Sequence, residues 1–128
     1  MEQKQLETIT NLFENSAIRS VWNSEKEEYY FSVIDIISVL TNNDYKKARN
    51  YWKWLKNKLI SEGSELVSNT NQLKMKSTDG KYYNTDTLDT KGIFRLIESI
   101  PSPKAEPMKM WLANLGNERI NEVFDPEI

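Results

Sequence analysis

The 128-residue sequence predicts an α+β fold, one small domain with two β-hairpins and four to five helices. Two pairs of β-rich segments, each pair separated by a short polar turn, indicate the hairpins. Between and after them, apolar residues recur three and four positions apart, which is typical of helices that bury one face. The length suits one core, and 11% aromatic residues argue against disorder, so 1–128 is expected to be a single domain.

The first elements are expected to be a helix and a hairpin. Residues 4–15 carry four apolar side chains at helical spacing, which predicts a short leading helix. Residues 18–23 and 28–33 are rich in aromatic and β-branched side chains, and the polar stretch 24–27 separates them. This pattern predicts a β-hairpin with a four-residue loop.

Two consecutive helices are expected next. Ser32 followed three residues later by Asp35 is a capping-box pattern, which predicts a helix start directly after Ser32. The turn signal Thr41-Asn42-Asn43 ends this helix, and an amphipathic pattern predicts another at about 44–60. The sequence therefore predicts a helix-turn-helix-like pair at about 33–60.

The second half repeats the hairpin and adds helices. Asp79-Gly80 lies between two partly alternating segments, 66–77 and 81–88, and is a strong hairpin signal. Residues 90–100 predict a buried helix. Three prolines between positions 101 and 107 break the chain, so the final helix is expected to begin at about 104–107.

Gly116 is expected to end this final helix, and a short helix at 118–124 is expected to follow. The sequence contains no internal repeat beyond the two hairpins and no long linker.

The absence of two residue types excludes many chemistries. The sequence holds no Cys and no His, which rules out disulfides, thiolate or imidazole catalysis and the usual zinc sites. Asp79, Asp86 and Asp89 could in principle bind Mg²⁺, but Asp79 suits a turn and Asp89 suits a helix cap. We therefore expect no enzyme activity, no metal and no cofactor. No apolar run reaches the roughly 18 residues of a membrane span, and we expect a cytoplasmic protein without a membrane partner.

Positive charge is concentrated in one segment. The net charge of the chain is −2, but residues 44–60 hold six bases and one acid, a local charge of +5. Residues 1–43 and 61–128 carry −4 and −3. A basic patch on an otherwise acidic body is an electrostatic footprint for a polyanion such as DNA.

The helix at 44–60 separates this charge from its apolar residues. At 100° per residue, one face carries Ala48, Tyr51, Trp52, Leu55 and Leu59. The nearly opposite face is basic, with Asn50 and Asn57 beside it. Lys and Arg suit phosphates, and Arg and Asn can also read base edges. With three lysines from the second hairpin, the candidate DNA-binding residues are Lys46, Lys47, Arg49, Asn50, Lys53, Lys56, Lys74, Lys76 and Lys81.

Two other interpretations of this helix remain open. A basic face is often only the solvated side of an amphipathic helix. Alternatively, the domain could be a protein-interaction module that captures an acidic repressor surface or self-associates as a homo-oligomer, without binding DNA. Trp54 falls between the two faces and suits a protein hot spot, although aromatic residues among basic ones can also stack on unpaired bases.

Several strings, taken in order, carry a family resemblance. They are 18–22, Tyr30-Phe31-Ser32-Val33-Ile34-Asp35-Ile36 with Leu40, Gly92-Ile93-Phe94-Arg95-Leu96-Ile97, Ser102-Pro103-Lys104-Ala105 with Met110-Trp111-Leu112, and the tail 118–127. Together they resemble the Bro family N-terminal (Bro-N) domain of phage antirepressors and viral Bro proteins. The tail 118–127 resembles the branch that includes DNA-damage-inducible protein D-like and prophage antirepressor sequences.

The resemblance covers about 17–127 and has functional implications. It implies a DNA-binding module of a phage or prophage antirepressor or transcription regulator, without enzyme activity. Double-stranded DNA is the implied partner, and a repressor protein is the alternative one. Members usually carry a second, C-terminal domain, so this chain could be the N-terminal fragment of a longer protein.

Overall fold

The structure, a computed structural model, describes residues 7–124 as a five-stranded antiparallel sheet with four helices. In chain order the elements are β1 Thr8–Phe13, β2 Ser16–Asn23, β3 Glu28–Ser32, α1 Val33–Thr41, α2 Tyr45–Ser61, β4 Asn71–Lys76, β5 Tyr82–Asp89, α3 Thr90–Glu98 and α4 Ala105–Phe124. The strand order in the sheet is β1-β2-β3-β5-β4. The predicted α+β class, with its helix pair and its hairpins, is confirmed.

The segment expected as a leading helix, 4–15, is a strand over its central part, and the helix prediction is wrong there. Its first three residues lie outside the described part of the chain. Strand β1 pairs with β2 through a two-residue turn, in which Glu14 and Asn15 have φ values of 49° and 69°. Turns of this kind match the twist of paired strands. Ile9 and Phe13 are four positions apart, which fits one side of a strand as well as one side of a helix.

The α1–α2 pair begins and ends at local capping groups. Ser32 Oγ accepts a hydrogen bond from the backbone N–H of Asp35 at 3.2 Å, which starts α1. Asn42 ends that helix in the left-handed region, with φ 57°. Asp44 Oδ1 accepts from the backbone N–H of Lys47 at 2.8 Å and starts α2. The expected helix-turn-helix-like pair is therefore confirmed.

The second hairpin follows the expected order with a shorter first strand. Strand β4 begins at Asn71 rather than at residue 66, because residues 66–69 form a turn that buries Leu66 in the core. Strand β5 leads directly into α3, where Asp89 Oδ1 accepts from the backbone N–H of Gly92 at 2.8 Å. Asp89 caps α3 as expected.

The C-terminal helix is longer than predicted. Helix α4 runs continuously over Ala105–Phe124, so the expected end at Gly116 and the separate helix at 118–124 are wrong. A glycine inside a helix costs about 1 kcal/mol relative to alanine and does not by itself end the helix. The predicted start is right, and Pro107 is tolerated because an N–H in the first turn has no helical partner.

The helices cover one face of the sheet with a single hydrophobic core. Phe31 of β3 and Leu88 of β5 are register partners on this face. They belong to one cluster with buried residues from every helix, including Ile36, Ile37, Leu55, Ile93, Leu96, Met108 and Leu112. This core fixes the position of α2 over the sheet.

The sheet curves so that its two edge strands, β1 and β4, approach each other, and the opposite face lies on the concave side. The backbone N–H of Lys76 in β4 donates to Thr8 Oγ1 in β1 at 2.9 Å. Arg19 Nη1 of β2 donates to the carbonyl oxygen of Lys76 at 3.3 Å. Five buried residues alternate with the core-facing ones and line this side, namely Val21, Tyr30, Met75, Thr85 and Thr87. Trp111 Nε1 of α4 donates to Leu12 O at 3.0 Å and covers part of the β1 edge.

Candidate nucleic-acid interface

Helix α2 presents a long cationic surface because its buried residues share one side. Ala48, Trp52, Leu55 and Leu59 are buried, three or four positions apart. No acidic residue lies between Tyr45 and Ser61. We define the cationic stripe as Lys46, Arg49, Asn50, Lys53 and Lys56, which are exposed except for half-buried Lys56.

Asp86 of β5 holds α2 against the second hairpin. Its Oδ2 accepts from Trp52 Nε1 at 2.8 Å, and its Oδ1 accepts from Gln72 Nε2 at 3.0 Å. Lys56 Nζ lies 3.6 Å from the same Oδ2. Partial burial by itself raises the pKa of Asp86, but the hydrogen bonds of Trp52 and Gln72 and the charge of Lys56 outweigh it, so this pKa lies below its ordinary value. Asp86 is therefore a charged anchor at neutral pH.

Contacts at two points set the direction of α2 along β4. At the start of the helix, the ring centroid of Tyr45 lies 6.0 Å from Arg19 Cζ, and Arg19 also donates to the carbonyl of Lys76. Further along, the helix meets Asp86, the register partner of Gln72. The helix therefore runs from the Lys76 end of β4 toward its Gln72 end.

Lys74 and Lys76 extend the cationic stripe onto β4. They alternate with buried Met75, so they lie on the side of the hairpin where Gln72 reaches the anchor. Both lysines are exposed. Arg49 lies one turn after the start of α2, between the two contact points, and on the hairpin side of the helix. The strand register and the helix periodicity thus place Lys74 and Lys76 on the side of the hairpin that faces α2.

Two candidate residues lie away from this surface. Lys47 is on the flank of α2 that also carries Lys58. Lys81 is exposed near the β4–β5 turn, where its backbone N–H donates to Asp79 Oδ1 at 2.8 Å. The hydroxyl of Tyr83 and that N–H lower the pKa of Asp79, so a carboxylate accompanies the charge of Lys81.

Most cations of α2 have no neutralising partner. Among the side chains that the structure describes, none of Lys46, Lys47, Arg49 and Lys53 forms an ion pair with a carboxylate. Lys56 is the exception, since Asp86 shares its charge. The stripe is therefore continuous and mostly free, with one partly neutralised position toward its C-terminal end.

Sequence reasoning missed two residues at this surface, Asp86 and Tyr82, and Lys58 on the neighbouring flank of α2. Asp86 was considered only as a metal ligand, and its contact with Trp52 crosses 34 positions without a local signal. Lys58 Nζ lies 5.5 Å from the centroid of the Trp54 ring, and its place in the basic segment was a visible signal. Tyr82 is 40% exposed and is the register partner of Lys76.

Other kinds of site find little support in residues 7–124. The described residues contain no cluster of three or more acidic side chains that could hold a metal ion. Asp79, Asp86 and Asp89 serve a turn, the anchor and a helix cap instead. None of the described helices is long and apolar enough to cross a membrane. A polar cavity of about 430 Å³ opens at the α1–α2 turn beside Asp35 and Asn43.

A known family matches most of the chain. The model of the BRO family, N-terminal domain (Bro-N), matches residues 17–124. No curated protein and no solved structure matches the chain. The resemblance drawn from the ordered strings is confirmed over nearly the expected span.

Proposed function

Because the chain belongs to the BRO family, as an N-terminal (Bro-N) domain, we propose that it is the DNA-binding module of a phage-type antirepressor or transcription regulator. Family membership supports a regulatory role of this kind. The chemistry of α2 supports duplex DNA as the ligand, with the cationic stripe, Lys74 and Lys76 on its phosphates. The proposed role is binding without catalysis.

One observation carries the proposal, namely a run of cations, of which only Lys56 has a carboxylate partner, on a helix that has no acid. Between Lys46 and Lys56 the helix axis extends about 15 Å, enough to meet several phosphates of one strand, whose axial spacing is about 3.4 Å. Arg49 and Asn50 also carry donors of the kind that pair with base edges in the major groove.

The overall acidity of the chain does not oppose this role. The net charge is −2, but at physiological ionic strength exposed charges act over only about 8 Å. A phosphate in contact with α2 is therefore affected mainly by the local +5 of residues 44–60 and by the neighbouring hairpin lysines. Local charge, rather than the total, governs the affinity.

Fluorescence anisotropy with a random duplex at two salt concentrations tests the proposal. If about four to six phosphates are neutralised, log K against log[salt] should have a slope of about −4 to −5. The double variant Arg49→Glu/Lys53→Glu should lose binding and keep its melting temperature, since both side chains are exposed.

A matched control reverses two exposed charges on α3, Lys91→Glu/Arg95→Glu, with the same change in net charge. This control should bind nearly as well as the wild type. Retained affinity in the α2 variant, or equal loss in both variants, would contradict the proposal.

A second candidate is a protein-interaction module, which the sequence pI of about 5.3 favours. Such a module would use the same helix to capture an acidic repressor surface or a second copy of the chain. It should pass through heparin without retention and ignore duplex DNA, yet form a complex on size-exclusion chromatography. A DNA-binding module should be retained on heparin until high salt.

A further inference from the structure

We propose that the cavity at the α1–α2 turn binds an uncharged sugar, either free or as the ribose of a nucleoside. The cavity has a volume of about 430 Å³ and lies between Ser16 at the start of β2, one side of α1, and Lys104 directly before α4. This volume is within the range of small-molecule sites, about 300–1,000 Å³. The inference goes beyond the proposed function, which assigns no ligand to this turn.

The buried carboxylate of Asp35 gives the cavity a fixed acceptor. Asp35 is 8% exposed and accepts three hydrogen bonds from Arg19. The backbone N and Nε of Arg19 donate to Oδ2 at 2.9 and 2.8 Å, and Nη2 donates to Oδ1 at 3.0 Å. A carboxylate has about four acceptor positions, so one remains on Oδ1. Because Asp35 lines the cavity, this oxygen can accept from a hydroxyl placed there.

The charges around the cavity are already balanced, which favours a ligand without net charge. A cationic ligand group at Asp35 would lie beside the guanidinium of Arg19 and be repelled by it. Lys104 Nζ lies 3.8 Å from Glu14 Oε1, so a carboxylate already accompanies the ammonium that lines the cavity. A neutral ligand avoids both repulsions and is recognised through hydrogen bonds instead.

Polar side chains at the cavity supply donors as well as acceptors. In the part of the chain that the structure describes, the Asn42 amide and the Ser16 hydroxyl have no hydrogen-bond partner. Asn43 Nδ2 donates one of its two hydrogens to Thr41 Oγ1 at 3.0 Å, which leaves the other available. A sugar hydroxyl can donate to Asp35 and at the same time accept from an asparagine amide. Adjacent hydroxyls on one ring therefore match this mixture better than groups that only donate or only accept.

An aromatic ring at the cavity can pack on the carbon atoms of a sugar ring. Tyr45 lines the cavity and is 46% exposed. Its ring centroid lies 6.0 Å from Arg19 Cζ, a contact that holds the ring in place. The face of an aromatic ring is electron-rich and attracts C–H groups. Buried Val39 adds an apolar wall, so the cavity combines polar groups for hydroxyls with apolar surface for ring carbons.

Titration of isotope-labelled protein with glucose or with adenosine, followed by amide NMR shifts, tests the inference. The shifts should concentrate at the cavity, including Ser38 and Tyr45. A ligand of about 19 non-hydrogen atoms, such as adenosine, is expected to bind with a Kd of roughly 0.1 mM. Binding of glucose indicates a free sugar, whereas binding of adenosine alone indicates the ribose of a nucleoside. The dideoxy analogue of adenosine, which lacks both ring hydroxyls, should bind roughly 10-fold or more weakly.

Two variants locate the binding site. Ala17→Phe places a ring in the cavity from an exposed strand position and should abolish binding. Asn42→Gly removes one amide at a position whose φ of 57° glycine adopts freely, and it should weaken binding roughly 2- to 10-fold. Asn69→Gly, in an exposed turn outside the cavity, is the matched control and should bind normally. Asn42→Gly decides the test if Ala17→Phe fails to fold.

The contrary outcomes are equally specific. A chain that binds neither glucose nor adenosine overturns the inference, and so does equal binding of the dideoxy analogue, because the base alone would then be recognised. Adenosine monophosphate that binds more than about tenfold more tightly than adenosine also overturns it, since the cavity would then be an anion site at Lys104. Unchanged binding in Asn42→Gly places the ligand elsewhere and overturns the inference as well. Sugar binding without any duplex binding supports this inference and refutes the proposed function alone.

Discussion

The ion pair between Asp86 and Lys56 limits the charge that the cationic stripe can offer to DNA. The ammonium lies 3.6 Å from Oδ2, and the two side chains are 18% and 35% exposed for Asp86 and Lys56. Replacing Asp86 with Asn keeps the size of the side chain and removes its negative charge. Lys56 should then become available to a phosphate, so this substitution should strengthen DNA binding.

The magnitude follows from the salt dependence. Each additional phosphate that is neutralised contributes about −0.9 to the slope of log K against log[salt]. The slope should therefore steepen from about −4 to −5 in the wild type to about −5 to −6 in Asp86→Asn. Over a fourfold increase in salt, the added contribution enlarges the loss of affinity by roughly 3.5-fold.

The same substitution should weaken the fold. An amide has one oxygen, so it cannot accept from both Trp52 and Gln72 through separate oxygens as the carboxylate does. Leaving one partly buried donor unsatisfied costs about 1–3 kcal/mol. We therefore expect tighter DNA binding together with a lower free energy of unfolding, a combination that a purely structural or a purely electrostatic role would not produce.

Anisotropy over a salt series measures the slope, and urea unfolding measures the stability. Glu25→Gln is a matched control, since Glu25 is exposed in the β2–β3 turn and its loss changes the net charge equally. The control should leave both slope and stability near the wild-type values. A wild-type slope for Asp86→Asn would refute the reasoning, because Lys56 would then contribute no phosphate contact even when released.

Three further perturbations test the fold. The pKa of Asp86 in the folded chain lies below its ordinary value of 3.8. The ionised carboxylate therefore contributes its full stabilisation above about pH 4, and this stabilisation is lost as the pH falls through the pKa of the folded state. In urea unfolding, acidification should therefore cost Asp86→Asn less stability than the wild type, and equal losses would contradict this. Gly92→Ala should lower the free energy of unfolding by about 1–3 kcal/mol. The added Cβ would lie 3.0 Å from both Leu88 Cβ and Leu88 Cδ2. An unchanged urea midpoint would argue against this close packing. Asp35→Ala should lower the free energy of unfolding by about 3–5 kcal/mol. The reason is that Arg19 Nε lies 2.8 Å from Asp35 Oδ2, and the substitution leaves this guanidinium without its carboxylate partner. A loss below about 1 kcal/mol would show that the ion pair is not needed for stability.

The helix pair could be predicted because its boundary signals act over three residues or fewer. Ser32 and Asp44 accept hydrogen bonds from backbone N–H groups three positions ahead, so their effect depends little on the rest of the fold. The burial of Ala48 and Trp52 likewise follows from periodicity along one helix. The cationic stripe follows from the same periodicity, and its exposure was therefore accessible from sequence.

Elements that depend on distant partners could not be predicted in this way. The spacing of Ile9 and Phe13 fits a helix and a strand equally, and pairing with β2 decides between them. The placement of Lys74 and Lys76 beside α2 depends on the contact between Trp52 and Asp86, for which no local pattern exists. Long-range contacts of this kind decide which exposed cations become neighbours.

The closure of the sheet by Thr8 and Lys76 has a consequence for synthesis of the chain. The two residues are 68 positions apart, so β1 can pair with β2 early, but the closing contact must wait until the second hairpin has left the ribosome. Until then the outer strands present free backbone groups to other nascent chains. Emergence of β5, through which β4 joins the sheet, thus ends the interval in which this closing contact is missing.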